Sequence, residues 1–320
     1  MNSLHALAER EQISPTTNPG DNVYKFIRQR RAVAASIFAL VLAACGGGDS
    51  APPVTRVVVL GDSNVDNGNL LRISGQRIPA PPNWQGRNSN GPNVAERLAQ
   101  TLSAKLEDHA VSGATTGEGN VLPDNYIPGV TLDLQHTGMA AQVTALEKTA
   151  ARFSSSDLVL LWAGSNDIYG LKRTDRTTLD QRIATAAANI DSAIGKLNAL
   201  GARRFVVASR TPRPVLGNDD DLNGVDLNKA IAATVAQAGA KTGADVRLYD
   251  AYGAIADMMK NPANYGFKEV TTLCWNVPAC ANDPLEGGLP VANTYVNWDS
   301  AHKTTRVHQL MAGQIAQMVK

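Results

Sequence analysis

The 320 residues contain no His/Cys spacing of a metal site, no glycine-rich phosphate loop and no internal repeat. Metal catalysis, nucleotide binding and solenoid architectures are therefore not expected, and no cofactor is implied. Charge of one sign is missing as well. Thirty Lys and Arg against 29 Asp and Glu leave a formal charge of +1, charged residues make up 18%, and no basic stripe marks a nucleic-acid partner. No apolar run reaches the roughly 20 residues that span a bilayer. The longest near the N terminus, Ala32 to Ala44, is about thirteen residues, which argues against an uncleaved membrane helix. Cysteine is scarce, with three in all.

What is present is a set of polar turns at the ends of apolar runs. Val57 to Leu60 lead into Gly61-Asp62-Ser63-Asn64-Val65-Asp66-Asn67-Gly68-Asn69, placing a serine where a buried strand ends and a helix is expected to begin. The carboxyl edge of a parallel sheet exposes such a side chain in a crevice, next to a helix N-terminus that favours developing negative charge. Gly, Asp and Ser also suit any helix-opening turn, so this tripeptide alone decides nothing. Near the far end, Asn297-Trp298-Asp299-Ser300-Ala301-His302 sets a carboxylate three residues before an imidazole. One loop can present both, with Asp299 orienting His302 and His302 acting as general base toward Ser63. Midway, Asp157 to Ala163 read as a second buried strand that empties into Gly164-Ser165-Asn166-Asp167, where the Asn166 amide can donate to an oxyanion. Asp108 to Thr116 include a turn at Gly113 whose N–H is a further donor.

These four segments resemble the blocks of the GDSL/SGNH hydrolase family, whose Ser, Gly, Asn and His match Ser63, Gly113, Asn166 and His302. The resemblance runs from Arg56 onward. Gly86 to Gly91, with Asp66 to Asn69, resemble the branch of bacterial phospholipase/haemolysin-like and plant-type esterases. It implies a catalytic set of Ser63, Asp299 and His302, an oxyanion hole of the Ser63 and Gly113 N–H groups with the Asn166 amide, and a carboxylic ester or lipid as substrate. A carbohydrate O-acetylesterase, an acyltransferase with the same triad and a catalytically idle binding protein are the alternatives. Two positions depart from the pattern. Asn64 replaces the usual leucine and is expected to make the entrance more polar. Lys303 stands where a proline is common and is expected to leave the start of the last helix less rigid.

The N-terminal segment resembles a bacterial lipoprotein signal. Lys25, Arg28, Arg30 and Arg31 flank the apolar run, which ends in Leu42-Ala43-Ala44-Cys45. On that reading residues 1–44 are an extension and signal peptide, Cys45 carries a lipid, 45–55 are a flexible tether and 56–320 are the hydrolase domain. The expected location is the bacterial cell envelope, at the outer membrane through a lipid anchor, or the exterior as a secreted protein. With Cys45 lipidated, Cys274 and Cys280 remain as a pair expected to form a disulfide in an oxidising compartment.

The rest of the chain alternates strand and helix patterns. Strands are expected at 56–60, 106–111, 157–163, 204–208 and 246–249, with helices at 93–104, 139–151, 179–200, 222–240 and 251–259. That alternation implies a three-layer α/β/α flavodoxin-like sandwich on a five-stranded parallel sheet, ordered 2-1-3-4-5. Long loops at 72–91, 118–136 and 261–298 are expected to build an acyl pocket. Trp84, Tyr126, Trp275 and Trp298 are its expected walls. His109, His136 and His308 are read as structural or exposed.

Overall fold

In the computed structural model, which describes residues 52–282 and 291–320, five parallel strands form one sheet in the order β2-β1-β3-β4-β5. They are β1 (Arg56–Gly61), β2 (Lys105–Asp108), β3 (Asp157–Trp162), β4 (Arg204–Ala208) and β5 (Asp245–Tyr249). β3, at the centre, is buried along its whole length, which is why Leu158 to Trp162 run apolar without alternation. Side chains still alternate between faces. Val57, Val59, Leu158, Leu160 and Val206 pack into one core, whereas Val58, Leu60, Val159, Leu161 and Phe205 pack into another.

Helices cover both faces. The first core is closed by α2 (Val94–Leu102), α6 (Ala251–Lys260) and α8 (Thr305–Met318), through residues such as Leu98, Ile255 and Met311. The second is closed by α3 (Met139–Lys148), α4 (Arg176–Ala199) and α5 (Asp219–Thr242), through Val143, Ile190 and Ile231. Two short helices, α1 (Asn69–Ile73) and α7 (Pro278–Ala281), lie in the connections. The architecture is the expected three-layer sandwich with the expected strand order.

Several boundaries differ from the sequence expectation. β2 ends at Asp108 rather than 111, because the Asp108 side chain turns back to accept from Ala110 N at 2.9 Å. Beyond it, His109 N donates to Val59 O and Val111 N to Gly61 O, so the chain still follows β1 as far as Val111. No helix begins directly after Ser63. The helix waits until Asn69, because Asp66 accepts from Gly68 N and Asn69 N and caps α1 from three residues upstream. Residues 52–55, assigned to the tether, pack onto the domain. Val54 is buried, and Thr55 N donates to Ser156 O at 2.9 Å. Cys45 and the signal segment lie outside the described residues.

The loop at 261–298 is more structured than expected. It contains a two-stranded parallel sheet of β6 (Glu269–Leu273) and β7 (Tyr295–Asn297), and Cys274 and Cys280 are joined by a disulfide. Both sulfur-bearing side chains are buried with Ala292 and Trp298 in a satellite core.

Candidate active site

Three strand ends and one late loop meet at the carboxyl edge of the sheet. Gly61, at the end of β1, has φ +155°, and a Cβ there would run into the carbonyl of Trp162 at the end of β3. Only glycine lets the two strand ends approach this closely. The next residues form a tight turn. Val65 N and Asp66 N both reach Asp62 O at 3.1 Å, and Asp62 Oδ1 accepts from Asn64 N and Asn64 Nδ2. Ser63 is thereby held at the crest. Asn64 is buried and braces this turn instead of simply making the entrance polar.

His302 Nε2 lies 2.8 Å from Ser63 Oγ. On its other side, Nδ1 lies 2.8 Å from Asp299 Oδ2 and 2.9 Å from Oδ1. An ionised carboxylate can only accept, so Nδ1 carries the proton and Nε2 turns its lone pair toward the serine hydroxyl. Burial alone would raise the Asp299 pKa. The neighbouring His302, with hydrogen bonds from its ring and from Ala301 N and His302 N, outweighs that and holds the carboxyl well below the usual range. Behind the serine, burial pushes Asp62 up to about 6.

The residues expected to form an oxyanion hole are brought to the same place. Gly113 has φ +84°, and a Cβ would strike Asn120 Oδ1. Its carbonyl is occupied by Val121 N at 2.9 Å, while neither its own N–H nor that of Ser63 has an acceptor among the described residues. Asn166 opens a short 3-10 turn after β3 and spends one Nδ2 hydrogen on Ala114 O at 2.9 Å, leaving the other for the cleft. Ser63, Gly113, Asn166, Asp299 and His302 all line one cleft of about 600 Å³.

Two carboxylates that sequence reasoning did not single out tie these turns together. Asp66 Oδ2 accepts from Ser112 N and Ser112 Oγ, each at 2.8 Å, joining the serine loop to the glycine loop. Asp167 accepts from Thr116 N at 3.0 Å and Thr116 Oγ1 at 2.6 Å, joining the glycine loop to the asparagine turn.

All three long loops supply cleft walls, but not every expected aromatic. Tyr126 and Trp275 line it. Trp298 does not. It is fully buried beneath, with its ring 5.7 Å from that of Trp275 and its Nε1 donating to Asn83 Oδ1 at 3.0 Å, because it fills the satellite core around the disulfide. Trp84 lies outside the wall, its ring stacked under the Arg87 guanidinium. Tyr169 and Arg213 line the cleft unforeseen. Both follow sheet strands, at β3 and β4, so the strand-end rule that found Asn166 was the signal for them too. The apolar wall is backed by a second satellite core, in which Leu70, Ile78 and Leu122 pack with Val111, Leu132 and Leu134.

The other histidines among the described residues sit apart from this cleft. His109 pairs with Glu107, His136 is exposed beside Asp133, and His308 is buried in α8, where desolvation pushes it down to about 3 and keeps it neutral. Lys303 is the largest departure from expectation. It does not loosen the start of α8 but is 1% exposed and anchored at both its hydrogen-bond acceptors, Pro212 O and Asn297 Oδ1.

A family model described as GDSL-like Lipase/Acylhydrolase matches residues 57–315. Among curated relatives, a thermolabile hemolysin of Vibrio parahaemolyticus is 25% identical, aligned over 81% of this chain, which spans only 62% of that protein's length. A phosphatidylcholine-sterol acyltransferase of Aeromonas hydrophila is 27% identical over 75% of this chain and 71% of that protein. A GDSL esterase/lipase of Arabidopsis thaliana is 24% identical over 77% and 84%. Among solved structures, a lipolytic G-D-S-L protein of Veillonella parvula covers 82% of this chain and 97% of its own, at 13% identity and a TM-score of 0.46.

Proposed function

The chain belongs to the GDSL-like lipase/acylhydrolase family and is a carboxylic ester hydrolase, and from that premise we propose that it cleaves acyl esters through an acyl-enzyme on Ser63. The observation that carries this reading is the continuous hydrogen-bonded line from Asp299 through His302 to Ser63, opening onto a cleft with an apolar wall. Ser63 Oγ attacks the ester carbonyl as His302 Nε2 takes its proton. The carbonyl oxygen gains charge against the Ser63 N–H, the Gly113 N–H and the free Asn166 amide hydrogen. His302 then protonates the departing alcohol, and a water activated by the same imidazole releases the acid. Asp299 keeps the imidazole oriented and offsets its transient positive charge.

The wall of Leu70, Ile78, Val121, Leu122 and Tyr126 favours an acyl chain over an acetylated sugar. We expect p-nitrophenyl esters from acetate to palmitate to give a kcat/KM that rises from acetate toward butyrate or longer. A maximum at acetate, with loss of activity on every longer chain, would overturn the acyl-chain assignment in favour of an O-acetylesterase. Transfer to an alcohol differs from hydrolysis only in which hydroxyl reaches the acyl-enzyme, and the similarity to the Aeromonas acyltransferase favours testing it with an added alcohol in the same assay.

For the N-terminal segment, outside the described residues, we propose export and lipid attachment at Cys45, with the enzyme held at the cell envelope. Incorporation of a labelled fatty acid into the full chain, and its absence in Cys45→Ser, tests the anchor.

A further inference from the structure

We propose that Lys303 is a positioning residue, whose buried ammonium pins the loop carrying Asp299 and His302 to the loop that follows β4. The proposal rests on the reading of His302 as the general base. Lys303 Nζ donates to Asn297 Oδ1 at 2.6 Å and to Pro212 O at 2.8 Å. Asn297 ends β7, two residues before Asp299, and its own Nδ2 holds Val270 O of β6 at 2.6 Å. Pro212 precedes Arg213, which lines the cleft and whose Nη1 reaches Ser300 O at 3.3 Å. One ammonium therefore joins three segments: the loop of the base, the loop after β4 and the β6–β7 unit.

The backbone of the loop is closed at the same level. Trp298 N donates to His302 O at 2.9 Å, Thr304 N to Val296 O at 3.1 Å, and Ser89 Oγ to Lys303 O at 2.9 Å. Lys303 contributes its carbonyl to this closure, through Ser89 Oγ, and its side chain adds the two bonds that reach Pro212 and Asn297. A buried ammonium bears a desolvation cost that an apolar side chain of similar volume does not. What it supplies in return is two directed, charge-assisted hydrogen bonds across the neck of the loop. Slackening that neck would let His302 drift from Ser63, and a misplacement of about 1 Å can cost on the order of 10²-fold in rate.

The charges facing Nζ are Arg210 and Arg213 on the loop after β4, Asp221 at the start of α5, and Asp299 on its own loop. Desolvation, reinforced by Arg213 and Arg210 and opposed by Asp299 and Asp221, lowers the ammonium to about 7. The sign follows. Below that pH the charged clamp is intact and the folded state bears its full desolvation cost. Above it the native lysine sheds its proton while an unfolded one keeps it, so the stability cost fades and the clamp weakens.

The test is Lys303→Met in the full chain, assayed on p-nitrophenyl butyrate from pH 6 to 9 beside Ser63→Ala. The expected result is a kcat lowered on the order of 10- to 100-fold at pH 7 with KM little changed. The wild type's decline in kcat above pH 7 should also be missing from the variant. Lys303→Gln keeps a donor without the charge and should recover part of kcat, with no alkaline decline. If Met fails to fold, a folded Gln variant with the wild-type kcat and pH profile overturns the proposal. So does a Met variant with wild-type kcat while Ser63→Ala is inactive. Activity surviving in Ser63→Ala would instead overturn the reading on which the proposal rests.

Discussion

Ser63→Ala is expected to lower kcat on p-nitrophenyl butyrate by on the order of 10⁴ or more, with the folded state unchanged. The hydroxyl has one hydrogen bond among the described residues, to His302 Nε2, and the turn around it is held by Asp62, Asn64 and Asp66. Removing one oxygen at a part-exposed position therefore costs the fold within about 0.5 kcal/mol. On the proposed mechanism the chemistry loses the atom that forms the acyl bond. Oxyanion donors that depend on backbone geometry persist, so a residual rate above that in water remains. A thermal melt and a steady-state assay separate the two effects. A variant that retains more than about 1% of kcat, with contaminating hydrolase excluded by an active-site phosphonate label, would remove Ser63 from the reaction.

The parts of this site that were legible in the sequence are those set by local chemistry. Ser63 and Asn166 each follow a strand that had to be read only as a short apolar run, because β1 and β3 are buried, whereas Gly113 follows the polar, half-exposed β2 and was marked by its turn instead. Asp299 and His302 lie on one loop, three residues apart. The parallel sheet followed from strand and helix alternation, and its order from the five-strand flavodoxin-like pattern that the family resemblance also implies. What was not legible depends on contacts between distant segments. Nothing local distinguishes Trp275, at the cleft, from Trp298, buried behind it. Asp66 and Asp167 read as turn residues until Ser112 and Thr116, 46 and 51 positions away, are brought against them. Lys303 was misread for the same reason. A lysine after a loop is ordinarily solvated, and only the carbonyl of Pro212, 91 positions away, shows where its ammonium goes.

Asp299→Asn tests the finer claim, that the carboxylate sets the tautomer of the base, and is expected to lower kcat by on the order of 10³ to 10⁴ near neutral pH. The direction follows from how the two oxygens are used. Asp299 Oδ1 already accepts from Ala301 N at 2.7 Å and His302 N at 2.8 Å. An asparagine keeps those two bonds only by placing its carbonyl there, which sets its amide where Oδ2 now faces Nδ1 at 2.8 Å. That amide donates toward Nδ1 at 2.8 Å, against the carbonyl that remains 2.9 Å away at the Oδ1 position, so it disfavours a proton on Nδ1 and shifts the ring toward the tautomer protonated at Nε2. Nε2 then points a hydrogen at Ser63 Oγ instead of a lone pair, and the base is blocked while the loop stays intact. Asp299→Ala separates the effects from the other side. It frees the tautomer but gives up both backbone bonds, so it should lower the melting temperature as well as kcat. If the Asn variant stays within about tenfold of the wild type, the carboxylate only holds the loop, and His302 finds its orientation without it.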